Sequence, residues 1–174
     1  MIKERFQSGV ALLLCKGVKI IATRKRSKYG VDQTKKGIEK RTYEGNVYDS
    51  LAELQFLKEW ILPKMESGEI IKWERQIKFT LQEGFTYKGK KVLPITYIAD
   101  YIVYWKNQSR TIIDVKGNPD SVAKIKKKLF QHEYPNEDYV WMCRSVKYCE
   151  DGSNWLLYED LEKKRKEDKK KKGK

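Results

Sequence analysis

Ile95-Thr96-Tyr97-Ile98-Ala99-Asp100-Tyr101-Ile102-Val103-Tyr104-Trp105 and, four residues on, Arg110-Thr111-Ile112-Ile113-Asp114-Val115-Lys116-Gly117 decide the fold. Both runs are rich in β-branched and aromatic residues, so both predict strands, with Lys106-Asn107-Gln108-Ser109 as the turn between them. Alternate side chains of a strand share a face, which sets Asp114 and Lys116 on one side and Ile113 and Val115 on the other. Gly117 ends that strand and leaves both polar groups near an edge open to a ligand. Asp100 shares a face with Ile98 and Ile102, where a lone carboxylate is costly unless a cation or hydrogen bonds compensate. A divalent metal shared with Asp114 compensates; so does a salt bridge to a Lys or Arg. D/E-x-K is a weak motif by itself. It recurs at Glu162-x-Lys164, Glu167-x-Lys169 and Asp168-x-Lys170, in a charged tail where no strand fixes the geometry.

Working outward, Asp49-Ser50-Leu51-Ala52-Glu53 predicts a helix start. Leu54, Leu57 and Ile61 form its apolar stripe, Leu51 lies one turn earlier, and Pro63 closes the run. Ser50-x-x-Glu53 is a capping box, with Glu53 reaching back to the Ser50 amide; the same carboxylate is a candidate third acid. Ile70–Trp73 and Gln76–Leu81 predict two strands, and 84–91 a hairpin turn around Gly89. After Gly117-Asn118-Pro119 a second helix carries Val122, Ile125 and Leu129 on one face, and Asp138–Cys143 predicts a further strand. The expected fold class is α/β (α+β), one mixed central sheet flanked by helices.

Four zones follow: an N-terminal strand or hairpin extension (1–23), a basic arm or loop (24–48), the folded body (49–158) and a solvated basic tail (159–174). The chain has 174 residues, with 38 Lys and Arg against 24 Asp and Glu, a net charge of +14 that favours a polyanionic partner. A single histidine, His132, excludes zinc sites and nucleophile systems built on several imidazoles. Three cysteines without CxxC spacing suggest neither a zinc ribbon nor a disulfide framework, and fit a reducing, cytoplasmic setting. No run approaches membrane-spanning length. Val10–Cys15 faintly resembles a signal peptide, but Lys16 and Lys19 cut it short and no cleavage site follows, so it reads as a buried strand.

A Glu on a first helix, an Asp on a strand and D-x-K on the next strand is an order that resembles the PD-(D/E)XK nuclease superfamily. The nearer resemblance is to phage-encoded proteins described as Holliday-junction-resolvase-like. It is carried by Tyr48-Asp49-Ser50-Leu51-Ala52-Glu53, Arg75-Gln76-Ile77-Lys78-Phe79, Pro94-Ile95-Thr96-Tyr97-Ile98-Ala99-Asp100-Tyr101, Ile113-Asp114-Val115-Lys116-Gly117, and Lys126-Lys127-Lys128-Leu129-Phe130 with Tyr134-Pro135. It spans about residues 28–142. Two departures stand out: Ala99 replaces the proline before the first Asp, and the acid of x-K is Asp114 in place of the commoner Glu.

The resemblance implies a restriction-endonuclease-like core and a metal-dependent DNA endonuclease, a junction resolvase first, a nuclease of flaps, ends or duplex second. Asp100 and Asp114, with Glu53 directly or through water and the Val115 carbonyl as a further contact, are then expected to hold Mg2+ or Mn2+, cations that take oxygen ligands. Lys116 is expected to orient the attacking water or stabilise developing negative charge; Gln76 reads equally as a site residue or a structural one. The alternative from another class is a non-catalytic basic DNA-binding protein whose carboxylates pair with lysines. For DNA contact the candidates are Arg24, Lys25, Arg26 and Lys28 in the arm, and Lys124 and Lys128, which with Gln131 lie opposite the apolar face of the second helix. The expected partners are branched DNA and a second copy of the chain, without a membrane, in the host cytoplasm if the protein is phage-encoded.

Overall fold

The structure, a computed structural model, describes residues 31–149 and 152–172. The two N-terminal apolar runs and Arg24, Lys25, Arg26 and Lys28 lie outside the described residues.

Most of the stretch expected as a basic loop is ordered. Helix α1 (Lys35–Lys40) is capped by Thr34, whose side chain accepts from the Gly37 N–H, and β1 (Thr42–Tyr43) and β2 (Asn46–Val47) form a small hairpin. Ser50 caps α2 (Leu51–Phe56), as its spacing predicts. The helix then passes through a π-helical segment (Leu57–Ile61) into α3 (Leu62–Glu66), so Pro63 does not close it. Proline lacks the N–H that an α-helical ladder requires, and widening to π bonding before it lets the helix continue. Leu54, Leu57 and Ile61 are buried, but Leu51, on the first turn, is exposed.

The two strands expected over 70–81 are one, β3 (Ile70–Gln82). It continues into the hairpin β4 (Phe85–Tyr87) and β5 (Lys90–Val92), whose turn residues Lys88 and Gly89 both have positive φ (48° and 76°), as a two-residue turn of this twist demands. Then come β6 (Ile95–Trp105), β7 (Arg110–Val115), α4 (Ser121–Glu133), β8 (Asp138–Arg144), β9 (Trp155–Leu157) and α5 (Tyr158–Lys172). The central sheet has the order β3-β6-β7-β8-β9, antiparallel except for β7 beside β8, which α4 connects. The α+β class with a mixed five-stranded sheet is therefore as expected.

Two apolar clusters hold the sheet. One joins Phe56, Leu57 and Ile61 to Tyr101, Val103, Ile113 and Trp155; the other packs Phe130 against Tyr97, Ala99, Ile102, Ile112 and Tyr139. Helix α4 buries only Leu129 of the face its aliphatic residues predict. Val122 and Ile125 are exposed, and Ala123, Lys126, Lys127 and Phe130 turn inward. The Phe130 ring lies among Phe79, Tyr97, Tyr134 and Tyr139, the Lys126 ammonium donates to the Thr96 carbonyl (2.7 Å), and Lys127 stands over Trp141 (4.4 Å). One large ring and two aliphatic lysine stems with satisfied heads outweigh two smaller aliphatic side chains.

The solvated tail is also corrected: 158–172 is helical. Leu161 is buried, Tyr158 meets Trp141 edge-on, and Asp168 accepts from both Lys147 and Tyr148. No helix among the described residues is long and apolar enough to cross a membrane.

Candidate active site where two strands part

The β6–β7 ladder ends at the pair Tyr101↔Ile113, while β7 stays paired with β8 as far as Val115↔Met142. Beyond that point β6 and β7 no longer exchange backbone bonds, and Asp100 closes the gap: its Oδ2 accepts from the Val115 N–H at 2.7 Å. N–H and C=O of one strand residue point to the same edge, so the Val115 carbonyl faces the same opening. The alternation of β6 breaks here too. Tyr97 and Ala99 pack in the Phe130 cluster, whereas Tyr101, of the same parity, packs beneath α2. The expected common face of Ile98, Asp100 and Ile102 does not survive this turn, for Ile98 is exposed and Ile102 buried.

Opposite Asp100, between the pairs Arg75↔Tyr101 and Ile77↔Ala99, stands Gln76 with φ +55°. That left-handed conformation is uncommon for a non-glycine residue within a strand and costs about 1 kcal/mol or more. No composition signal announces it, because nothing about a Gln in an apolar run demands positive φ.

Asp114 is 1% exposed, and its Oδ2 lies 2.5 Å from Lys116 Nζ without accepting a hydrogen bond of regular geometry. The shared face read from the strand is thus realised as a buried ion pair. Glu53 is also buried, at the first turn of α2. Its capping box closes through the Ser50 hydroxyl, which accepts from the Glu53 N–H (3.1 Å) and donates to Glu53 Oε1 (2.8 Å). Tyr101 fixes that turn against the sheet by donating from its hydroxyl to the Glu53 carbonyl (2.9 Å). Arg41 donates to the Tyr48 carbonyl, and Arg75 stacks on the Tyr48 ring while donating to the Val47 carbonyl. Two cations therefore brace the chain just before Ser50. Sequence reading missed Tyr101 and both arginines; each makes contacts only once distant segments meet.

The acids interact by charge. Burial pushes the Asp100 carboxyl well above the usual carboxylate range, and Asp114 and then Glu53 push it further; the Val115 N–H and Lys116 act the other way. Burial also raises Glu53, opposed by the Ser50 hydrogen bond and reinforced by Asp49 and Asp114. With all three acids ionised, three negative charges face the single ammonium of Lys116, and two remain uncompensated. Among the described residues no three Asp, Glu, His or Cys side chains converge tightly enough to grip one ion. The donors that would hold a divalent cation are Asp100 and Asp114, whose Oδ2 lies against Lys116, with the Val115 carbonyl at the strand opening and Glu53 interacting by charge. Such hard oxygen donors suit Mg2+ or Mn2+.

The other candidates lie apart. Lys124 and Lys128 are exposed on α4, lining with Gln131 a groove that α5 closes on the far side.

A family model matches residues 26–150, more than two thirds of the chain. The chain belongs to the DUF1064 family. That family is described as a protein of unknown function, and the match takes in α1 to β8 with all four candidate site residues. No curated protein matches the chain.

Proposed function

We propose that this DUF1064 protein is a metal-dependent nuclease that hydrolyses phosphodiester bonds in DNA. The observation that carries the reading is the parting of β6 from β7, with Asp100 and Asp114 at the opening, Lys116 against Asp114 and Glu53 facing them from α2. Asp100, Asp114 and the Val115 carbonyl would hold Mg2+ or Mn2+, which when bound would supply an acidified water and charge neutralisation at the scissile phosphate. The chain's own residues do the remainder. Lys116, kept at the opening by Asp114, donates a hydrogen bond to the attacking water or to the phosphoryl oxygens as their charge grows. Asp100 is held by the Val115 N–H, so its free oxygen presents a fixed direction. Glu53, oriented by Ser50, supplies an acceptor on the far side of the opening. The net charge of +14 supports a polyanionic substrate. By the resemblance described above, branched DNA cut by a pair of chains is the finer form of the proposal.

A second reading has its own support. The Asp114–Lys116 ion pair satisfies both charges without any metal, as a non-catalytic DNA-binding protein requires. One experiment separates them: cleavage of a labelled four-way junction, a flap and a linear duplex, each with Mg2+, Mn2+ or EDTA, by the wild type and Asp114→Asn. Metal-dependent cutting that falls at least ~10³-fold in the folded variant, with binding retained, is the expected result. Cutting of all three substrates keeps the nuclease and removes the junction preference. Salt-sensitive binding without cleavage under any metal overturns the nuclease reading.

A further inference from the structure

Away from the carboxylates, α4 and α5 enclose a groove of about 620 Å³. Lys124, Lys127 and Lys128 line it from α4, and Lys163 and Lys166 from α5, against Glu159 and Glu162; five positive charges less two negative leave +3. The groove is built by contacts across it. Lys127 pairs with Glu159 and stands over the Trp141 ring, and Tyr158 meets Trp141 edge-on with ring centroids 5.6 Å apart. Leu161 seats α5 in the body. Lys124, Lys128, Lys163 and Lys166 are exposed and form no ion pair among the described residues. Four ammonium groups thus line a floor formed by Tyr158 and the Lys127 stem, with Trp141 buried beneath them.

The position of that floor is what gives the groove a role. Trp141 is the register partner of Asp114 in the parallel β7–β8 pair. Directly paired residues share a sheet face and neighbouring strands lie about 4.8 Å apart, so the groove begins one strand away from Asp114.

We propose that this groove binds the sugar–phosphate backbone of an unpaired nucleic-acid strand and leads it to or from the carboxylates. The inference deepens the nuclease reading and rests on it for the strand's direction of travel, though binding itself needs no cleavage. A groove lined by an excess of cations tracks a single strand through its phosphates, independently of sequence. A duplex, whose major groove alone is about 12 Å wide, lies across the rims of two helices and does not enter between them. The basic C-terminal segment thereby acquires a specific function: α5 is one wall of a channel.

The test is equilibrium binding of a short labelled oligothymidylate, in EDTA, across a salt series. Three proteins are compared: wild type, the triple variant Lys128→Gln/Lys163→Gln/Lys166→Gln, and the charge-matched triple Lys88→Gln/Lys90→Gln/Lys91→Gln on the β4–β5 hairpin. Each released single-strand phosphate contact contributes about 0.7 to the slope of log K against log salt. The groove triple is expected to flatten that slope by about 2, with the hairpin triple near the wild type. Equal losses in both triples mean a diffuse positive field and overturn the proposal. So does no loss in either, or a loss seen with a duplex of the same length and not with the single strand. The outcome is separable from the nuclease reading: groove-dependent binding by a protein that cuts nothing sustains the channel and removes the enzyme, and cleavage without groove dependence does the reverse.

Discussion

Lys116 and Lys127 each pair with an acid beside the central sheet, yet they belong to opposite kinds of place. Lys116 meets Asp114, 1% exposed, at the parting of two strands where acids outnumber bases. Lys127 meets Glu159, exposed on α5, in a groove where bases outnumber acids. At the carboxylate end backbone geometry makes the site: a ladder that stops, a strand that changes face, a Gln at positive φ. At the groove, helices docked on the sheet make it, and their side chains remain in water. The first arrangement has a fixed, strained geometry of the kind chemistry needs. The second has long mobile cations that suit a partner whose position along the groove varies.

The sharpest way to break this comparison is to remove each lysine. Lys116→Met strands a buried Asp114 carboxylate and is expected to cost about 3 kcal/mol in urea denaturation at pH 7. Lys127→Met keeps the stem over Trp141, loses only an exposed partner, and is expected to cost under about 1 kcal/mol. Equal costs mean that Asp114 is better solvated than its burial implies, and the distinction between the two places collapses.

The two places were also unequally legible in sequence. Strands over 95–105 and 110–115 end where their β-branched and aromatic residues end, and Asp100, Asp114, Lys116 and Glu53 stand in the order that the resemblance to the nuclease superfamily picks out. What escaped depends on contacts between segments remote in sequence. Glu74 and Arg75 join the two apparent strands into one by pairing with Ile102 and Tyr101, and Gln76 beside them adopts a conformation no pattern requires. On α4, aliphatic spacing pointed to Val122, Ile125 and Leu129, of which only Leu129 packs inward; the choice was made by Phe130 finding four aromatic neighbours and by Lys126 finding the Thr96 carbonyl. The groove was hidden for the same reason. A single Leu161 among charged residues gives no amphipathic period, and only the docked helix shows that one buried leucine with Tyr158 at its start is enough to seat it.

That seat is the next point of attack. Leu161→Ala removes the one fully buried side chain of α5 and is expected to cost about 2 kcal/mol, with partial loss of helical circular dichroism as α5 frays. Oligothymidylate binding in EDTA should fall as it does in the groove triple. The carboxylate end should be untouched, read as an unchanged rise in melting temperature on adding Mg2+ to the variant. Loss of the Mg2+ response along with α5 makes the two regions one cooperative unit.

Between the regions runs a tie of modest strength, and it gives the smallest expected effect. Glu59, in the π-helical segment that follows α2, accepts from Arg144 (3.0 and 3.1 Å) and from the indole N–H of Trp155 (2.9 Å), the first residue of β9, which leads into α5. The helix that carries Glu53 is thereby fastened to the strand that launches α5. These hydrogen bonds, the Arg144 guanidinium first and then Trp155, hold the Glu59 carboxyl below its usual range. A depressed carboxyl stabilises the fold above its unfolded-state pKa, and that contribution disappears as pH falls through the folded-state value. Because the pair is about one-third exposed, Glu59→Gln is expected to cost about 1 kcal/mol at pH 7. The gap in melting temperature between wild type and variant should then narrow steadily as the buffer is taken below about pH 4, where the unfolded carboxyl protonates. A gap that stays constant down to pH 3 assigns the effect to packing around Trp155 and leaves the two regions without an ionic link.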